Sequence, residues 1–337
     1  MGRVPKILLV LFTLAAFAAL AALAGYRYWQ SRLEAPVSLE APQLYEVPAG
    51  AGYHRVVSEL VERGIIADAW AFRLLARLEP ETLPDLRPGE YRLTPGMSGR
   101  DMLALLGSND VVSYPLTIPE GWTFRQMRER LDAAPKLAHR TRDLSDEEVM
   151  KRLDREGRHP EGWFFPDTYH YHKGLSDLEI LRQALERMEA TLDEVWAGRD
   201  DGLPLESPYE ALIMASLIER ETGAPEERPE IAGVFVRRLE RGMRLQTDPT
   251  VIYGMGERFD GNITRADLRE ATPYNTYVID GMPPTPIALP GRAALEAAVQ
   301  PEAGETLYFV SKGDGTHHFS RTLREHNNAV NRYIRKR

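Results

Sequence analysis

Eighteen consecutive residues without a charge, Ile7 to Ala24, rich in Leu, Ala and Phe, constrain this chain more than any other feature. As a helix such a run approaches the thickness of a bilayer core, and inside hydrocarbon a single segment can satisfy its backbone only as a helix. Arg3 and Lys6 precede the run, and Tyr26, Tyr28 and Trp29 follow it, where an aromatic belt meets the membrane interface. The expectation is a tail over residues 1–6 and a retained transmembrane helix over residues 7–29. A cleaved leader is the competing reading, because Ala22-Leu23-Ala24 resembles a cleavage site. The apolar run, however, exceeds the usual core of a signal peptide. Arg3 and Lys6 set against Arg27 and Arg32 orient the span only weakly. A short basic tail, one span and a large polar remainder together place that remainder outside the cytoplasm.

The remainder is long enough for two domains: the chain has 337 residues, 43% hydrophobic and 27% charged, an ordinary globular balance. There is no cysteine, so no disulfide framework marks export. Net charge is −8 with only six lysines and no long basic run, which argues against nucleic acid as a partner.

Residues 30–43 contain Pro36 and Pro42 without helical periodicity and read as a linker holding the soluble portion off the membrane. A short pattern then recurs. Val47-Pro48-Ala49-Gly50 leads through Tyr53, Val56 and Leu60, and Ile118-Pro119-Glu120-Gly121 leads through Phe124, Met127 and Leu131 at matching offsets. Each is a strand end, a turn and an amphipathic helix. The first continues into a second helix, Ala69 to Leu78, and a strand, Glu90 to Leu93. This βααβ order over residues 44–116 resembles the LysM-like fold, a carbohydrate-binding module, and fits equally a spacer that binds nothing. Residues 117–337 read as one α+β domain, with a capped helix start at Asp143 to Met150 and a buried strand at Leu307 to Val310.

Within that domain, Pro208 to Gly223 reads as a mostly apolar helix carrying Glu219 and Glu221 near its end. A carboxylate on a buried helix is costly and points to chemistry. Positions i and i+2 point to nearly opposite sides of a helix, so only one of the two can face a given cleft. Glu219 shares its side with Leu212, Ala215 and Ser216, where small residues leave room for a ligand. Glu221 shares its side with Met214, Leu217 and Ile218. Glu219 is therefore the expected cleft residue and Glu221 a structural carboxylate on the far side. The competing reading is a helix end whose glutamates are solvated or paired with Arg220 and Arg228.

Four loop-like segments join polar and aromatic side chains in the manner of sugar sites, where rings stack on pyranoses and Asn, Gln, Asp and Thr bind hydroxyls. They are Glu161 to Tyr169, Leu245 to Pro249, Pro273 to Tyr277 and Gly281 to Pro286. With Ala215-Ser216-Leu217-Ile218-Glu219-Arg220-Glu221-Thr222, Gln246-Thr247-Asp248-Pro249, Tyr274-Asn275-Thr276-Tyr277, Pro283-Pro284-Thr285-Pro286 and the closing His317, Phe319, His326 and Asn327, the chain resembles the MltG (YceG-like) family of endolytic murein transglycosylases over nearly its whole length. One departure is Leu289, where family members often have Asn.

The resemblance implies an inner-membrane, single-pass enzyme with its catalytic domain on the periplasmic side and no cofactor. Such an enzyme cleaves the β-1,4 bond between N-acetylmuramic acid and N-acetylglucosamine within nascent peptidoglycan strands and leaves 1,6-anhydro ends. It also implies work beside peptidoglycan synthases, a catalytic acid at Glu219, and substrate contacts from Ser216, Gln246, Asp248, Tyr274, Asn275 and Tyr277. One carboxyl can serve both steps of that reaction, first as acid and then as base. A hydrolase needs a second carboxylate, for which Asp248, Asp167 and Glu221 are the candidates. A glycan-binding scaffold without catalysis is the reading from another class. A metal hydrolase using His317, His318 and His326 lacks recognisable ligand spacing, so no metal is expected, and the two outer histidines read as structural. None of Lys136, Lys151, Lys173 and Lys312 sits in a motif for a pyridoxal phosphate lyase.

Overall fold

The computed structural model describes residues 4–335, so Arg3, on which part of the orientation argument rests, lies outside the described residues. Helix α1 (Val4–Leu33) is continuous and long and apolar enough to cross a membrane. Its side chains from Ile7 through Leu23 are exposed, Phe12 and Phe17 by more than 70%. The rest is mixed α and β and divides into two compact units. One runs up to Tyr114 and includes residues 172–174, and the other comprises Pro115–Tyr171 and Leu175 onward.

In the first unit, strand β1 (Gln43–Val47) pairs antiparallel with β2 (Gly89–Leu93). Helices α2 (Tyr53–Glu62) and α3 (Trp70–Leu78) lie between them in sequence, and α4 (Gly99–Leu106) follows. A Ser98–Asp101 capping box starts α4 by satisfying orphan amides at both ends of the pair. Tyr45, Val56, Leu60, Phe72, Leu93 and Met102 form the centre of the core.

Residues 30–43, expected as a linker, are packed into this unit. Trp29, Leu33 and Val37, spaced four apart, are each at most 5% exposed and belong to its core. The indole of Trp29 donates to the carbonyl of Ala71 at 2.9 Å, and Val37 and Ser38 donate through their amides to Met97 and Ile65, each at 2.8 Å. Trp29 thus sits in the protein core rather than in the aromatic belt. The sequence hid this because the docking uses one residue per turn and α1 extends four residues past the expected end.

In the second unit, capping boxes begin α5 (Phe124–Asp132) at Thr123 and α6 (Asp146–Arg152) at Ser145. Strand β3 (Ser113–Thr117) pairs with β4 (Thr168–His172), after which come α7 (Asp177–Ala197) and α8 (Pro208–Glu221). Helix α8 is buried on every side from Ala211 to Ile218, which marks it as the core helix. Packed on it are α7, α9 (Arg228–Glu240), α10 (Asp248–Met255) and α11 (Arg292–Val299). Strand β5 (Tyr308–Ser311) forms an antiparallel hairpin with β6 (His317–Ser320), and α12 (Leu323–Val330) packs on both. The strand expected to be buried is only half-buried, since Tyr308, Phe309 and Val310 line an open cavity.

Gly162 has φ +85°, and a Cβ there would lie 2.5 Å from Cβ of Pro286. Gly162→Ala should therefore destabilise the protein by ~2–5 kcal/mol, the sum of about 1–2 for a left-handed non-glycine and 1–3 for overpacking. Chemical denaturation checks this, and a change under ~0.5 kcal/mol would contradict the observed close approach.

Candidate active site

The two glutamates of α8 diverge as their spacing requires, into different surroundings. Glu219, with its side chain 6% exposed, accepts from Arg228 at 3.2 Å and from the backbone amide of Gly291 at 3.0 Å. The Arg228 guanidinium also lies 3.5 Å from Glu120, and Arg220 donates to the carbonyl of Gly121 at 3.0 Å. Burial pushes the Glu219 carboxyl up, with the Gly291 amide and Arg228 pulling the other way and Glu120 adding to the rise. These contacts tie the Glu120–Gly121 turn and the start of α11 to the end of α8. Glu219→Gln should cost ~1–3 kcal/mol, because a buried guanidinium loses its closest carboxylate. Thermal denaturation of the variant tests this, and an unchanged midpoint would count against that tie.

Glu221 faces the other way, into a cavity of about 440 Å³, within the range of small-molecule sites. Gln246, Asp248, Tyr277, Arg238 and His317 line the same cavity. Thr247 donates its hydroxyl to Glu221, and Tyr277 donates its phenol to Asp248 at 2.6 Å. Burial raises the Glu221 carboxyl to about 7; the Thr247 hydrogen bond opposes that rise, Asp248 adds to it, and Arg238 opposes it. A carboxyl so poised exchanges protons near neutral pH, the property a general acid needs.

The loop bearing Gln246 is held with unusual strictness. Gln246 itself has φ +52°, one of two described non-glycine residues with positive φ, and a strained backbone at a cleft is a functional signature. The Gln246 amide donates to Thr276 carbonyl oxygen, the Thr247 amide donates to Thr276 Oγ1 at 3.0 Å, and Thr250 Oγ1 donates to Thr247 carbonyl oxygen at 2.7 Å. Arg238 braces the walls by donating to the carbonyls of Leu307, Leu245 and Arg244. On the opposite wall the His317 ring is paired with Glu227 at 2.7 Å, while Thr222, next to Glu221, donates to the same carboxylate. Burial works against the charge of Glu227, but the His317 amide and ring hold it below the usual carboxylate range.

Among the expected contacts, Gln246, Asp248 and Tyr277 come together here, and the others do not. Ser216 is fully buried, donates to the carbonyl of Ile213 and accepts from the amide of Ile287. Asn275 is 1% exposed and spends its amide nitrogen on the carbonyls of Asp267 and Glu270 and its oxygen on the amide of Tyr277. Tyr274 meets Thr285 and the ring of Tyr253 instead of the cavity. The expectation for α8 is therefore corrected: Glu221, not Glu219, shares a cavity with the sugar-type side chains. Ala215 and Ser216 are small and fully buried where α11, with Ala294, Ala297 and Ala298 buried, packs on α8. Arg238 and His317 also line the cavity, from segments distant in sequence from Glu221. The flanking of Thr247 by Gln246 and Asp248 was the available signal for Glu221.

His317 and His326 line the cavity, whereas His318 lies against Tyr333. Asp132, His139 and Asp177 also gather elsewhere, but both oxygens of Asp177 are spent on the amides of Arg140, Thr141 and Leu178 and the Thr141 hydroxyl. Asp177 thus ties the turn at Arg140 and Thr141 to the first turn of α7, whose cap is Ser176.

The sequence profile of the YceG-like family matches residues 45–332. An endolytic murein transglycosylase of Bacillus subtilis is 30% identical over 329 residues, covering 92% of this chain and 90% of the relative. One from Streptococcus pneumoniae is 28% identical over 362 residues and is matched over 62% of its own length. Among solved structures, a putative yceG-like protein of Listeria monocytogenes is similar at 30% identity with a TM-score of 0.56, covering 86% of this chain and 99% of that one.

Proposed function

The chain belongs to the YceG-like family, and from that premise we propose that it is a membrane-anchored endolytic peptidoglycan lytic transglycosylase with Glu221 as its acid and base. The observation that carries the reading is one cavity holding a carboxyl raised to about 7 beside Gln246, Asp248 and Tyr277. Protonated Glu221 donates to the glycosidic oxygen between N-acetylmuramic acid and N-acetylglucosamine as the bond to C1 breaks. The resulting carboxylate then takes the proton of the muramoyl C6 hydroxyl, whose oxygen bonds to C1 and closes the 1,6-anhydro ring. No water is consumed, and Glu221 ends protonated. Asp248, which accepts the Tyr277 phenol at 2.6 Å, adds to the rise that favours the protonated start of Glu221. In this reading α1 anchors the chain in the inner membrane with the catalytic unit on the outer, periplasmic side. The βααβ unit is a LysM-like module, and nascent strands beside their synthases are the substrate.

A retaining or inverting hydrolase is the second reading, favoured by one specific observation: Asp248 lines the same cavity and is a second carboxylate. Digestion of purified peptidoglycan by the full chain in detergent, with mass analysis of the new ends, separates the two. Anhydro-muramoyl ends that vanish in Glu221→Gln support the proposal. Reducing ends bearing solvent oxygen would assign the hydrolase, and loss of cleavage in a well-folded Glu219→Gln with retention in Glu221→Gln would return the acid to Glu219. A wild-type chain that binds strands without cutting them would leave the scaffold.

A further inference from the structure

Helix α1 does not end at the membrane and hand over to a tether. It runs on, and Trp29 and Leu33 become core residues of the first unit. The joint is rigid on several sides: the Trp29 indole bonds to Ala71, Arg32 pairs with Asp68 at 2.8 Å, and Arg100 reaches Gln30 at 3.0 Å and Glu34 at 3.2 Å. Gly99 packs so closely that an added Cβ would meet the Phe72 ring at 2.5 Å and the carbonyl of Leu33 at 3.1 Å.

Helix geometry then sets a height. From Ala24, the end of the apolar run, to Trp29 is five residues, or ~7.5 Å at about 1.5 Å each. A bilayer's polar layer occupies roughly 5–8 Å on each side of its hydrocarbon core. The unit's core thus begins where the headgroups end, with no distance left for a water gap. Its surface at that level has matching chemistry. Trp70, 41% exposed at the start of α3, stacks on Tyr28 of α1 with ring centroids 6.0 Å apart. Tyr26 and Tyr28 are more than half exposed, and the exposed positions of α3 are Trp70, Arg73, Arg77 and Leu78. Aromatic, cationic and aliphatic side chains on one exposed helix side are what a phospholipid interface takes up.

We propose that the face of the first unit bearing Tyr28, Trp70 and Arg77 lies in the headgroup layer of the bilayer crossed by α1, so that this unit is seated on the membrane. The inference rests on the anchor reading of α1. The chain has no cysteine, so single Trp70→Cys, Arg77→Cys, Phe17→Cys and Asp201→Cys variants of the full chain can each carry one spin label in phosphatidylcholine and phosphatidylglycerol vesicles. Collision with oxygen and with a water-soluble nickel chelate reads depth. Expected is a label at 17 in the hydrocarbon, labels at 70 and 77 at headgroup depth, and several-fold less nickel contact at both than at 201, an exposed loop position. Arg77→Cys keeps the Tyr28–Trp70 stack intact, so loss of that ring pair cannot produce the result. Nickel contact at 70 and 77 equal to that at 201, with 17 still in hydrocarbon, would overturn the seating while leaving the anchor. A label at 17 open to nickel would overturn the anchor and the seating with it.

Discussion

Glu221→Gln is expected to lower the rate of strand cleavage by on the order of a hundred- to ten-thousand-fold, the contribution of a well-placed proton transfer, while strand binding persists. Glutamine keeps the side chain's shape and its carbonyl can still accept from Thr247, so the change removes the proton and little else. Wild-type kcat/KM should fall on the alkaline side with an apparent pKa near 7, since the donor must start protonated. The same shift has a stability consequence of fixed sign. A carboxyl raised above its unfolded value contributes fully below about 4.5, and that contribution is lost as pH rises through about 7. Glu221→Gln should therefore become more stable relative to wild type across that window. The gain should reach ~1–3 kcal/mol, taking roughly 1.4 kcal/mol per pKa unit and allowing for partial exposure. Denaturation at acid and neutral pH, alongside cleavage rates, measures both. A variant that cuts strands at the wild-type rate would remove Glu221 from the reaction.

Arg238→Leu is expected to lose ~3–5 kcal/mol of stability, since each buried carbonyl left without its donor costs ~1–3 kcal/mol. Arg238 is 7% exposed and its guanidinium donates to three carbonyls, one just before β5 and two in the loop before Gln246. Leucine leaves those acceptors buried without donors and frees both cavity walls. Arg238→Lys should recover only part of the loss, since an ammonium cannot span the same fork. Urea denaturation ranks the three proteins, and equal midpoints for wild type and Arg238→Leu would show that the walls hold without this brace.

Local chemistry was legible in advance wherever one segment contains the whole cause. The apolar run of α1, the Ser145 cap, the amphipathic helices after Pro-Gly turns and the core helix α8 with its two diverging glutamates all follow from spacing and caps. So does the grouping of Gln246, Asp248 and Tyr277 as polar and aromatic loop residues. What stayed hidden depends on partners distant in sequence. Trp29 looked like an interfacial aromatic because the Ala71 carbonyl that takes its indole is 42 residues away.

The α8 glutamates show the division most sharply. Sequence determined by itself that they lie on opposite sides of a buried helix, because the helical repeat is a local property of the backbone. Which side opens onto a cavity was decided only by the tertiary structure. Small residues at Ala215 and Ser216 admit either a ligand or a neighbouring helix, and α11, which begins at Arg292, packs against that side. The strained Gln246 loop and the β5–β6 hairpin, joined through Arg238, left the opening beside Glu221.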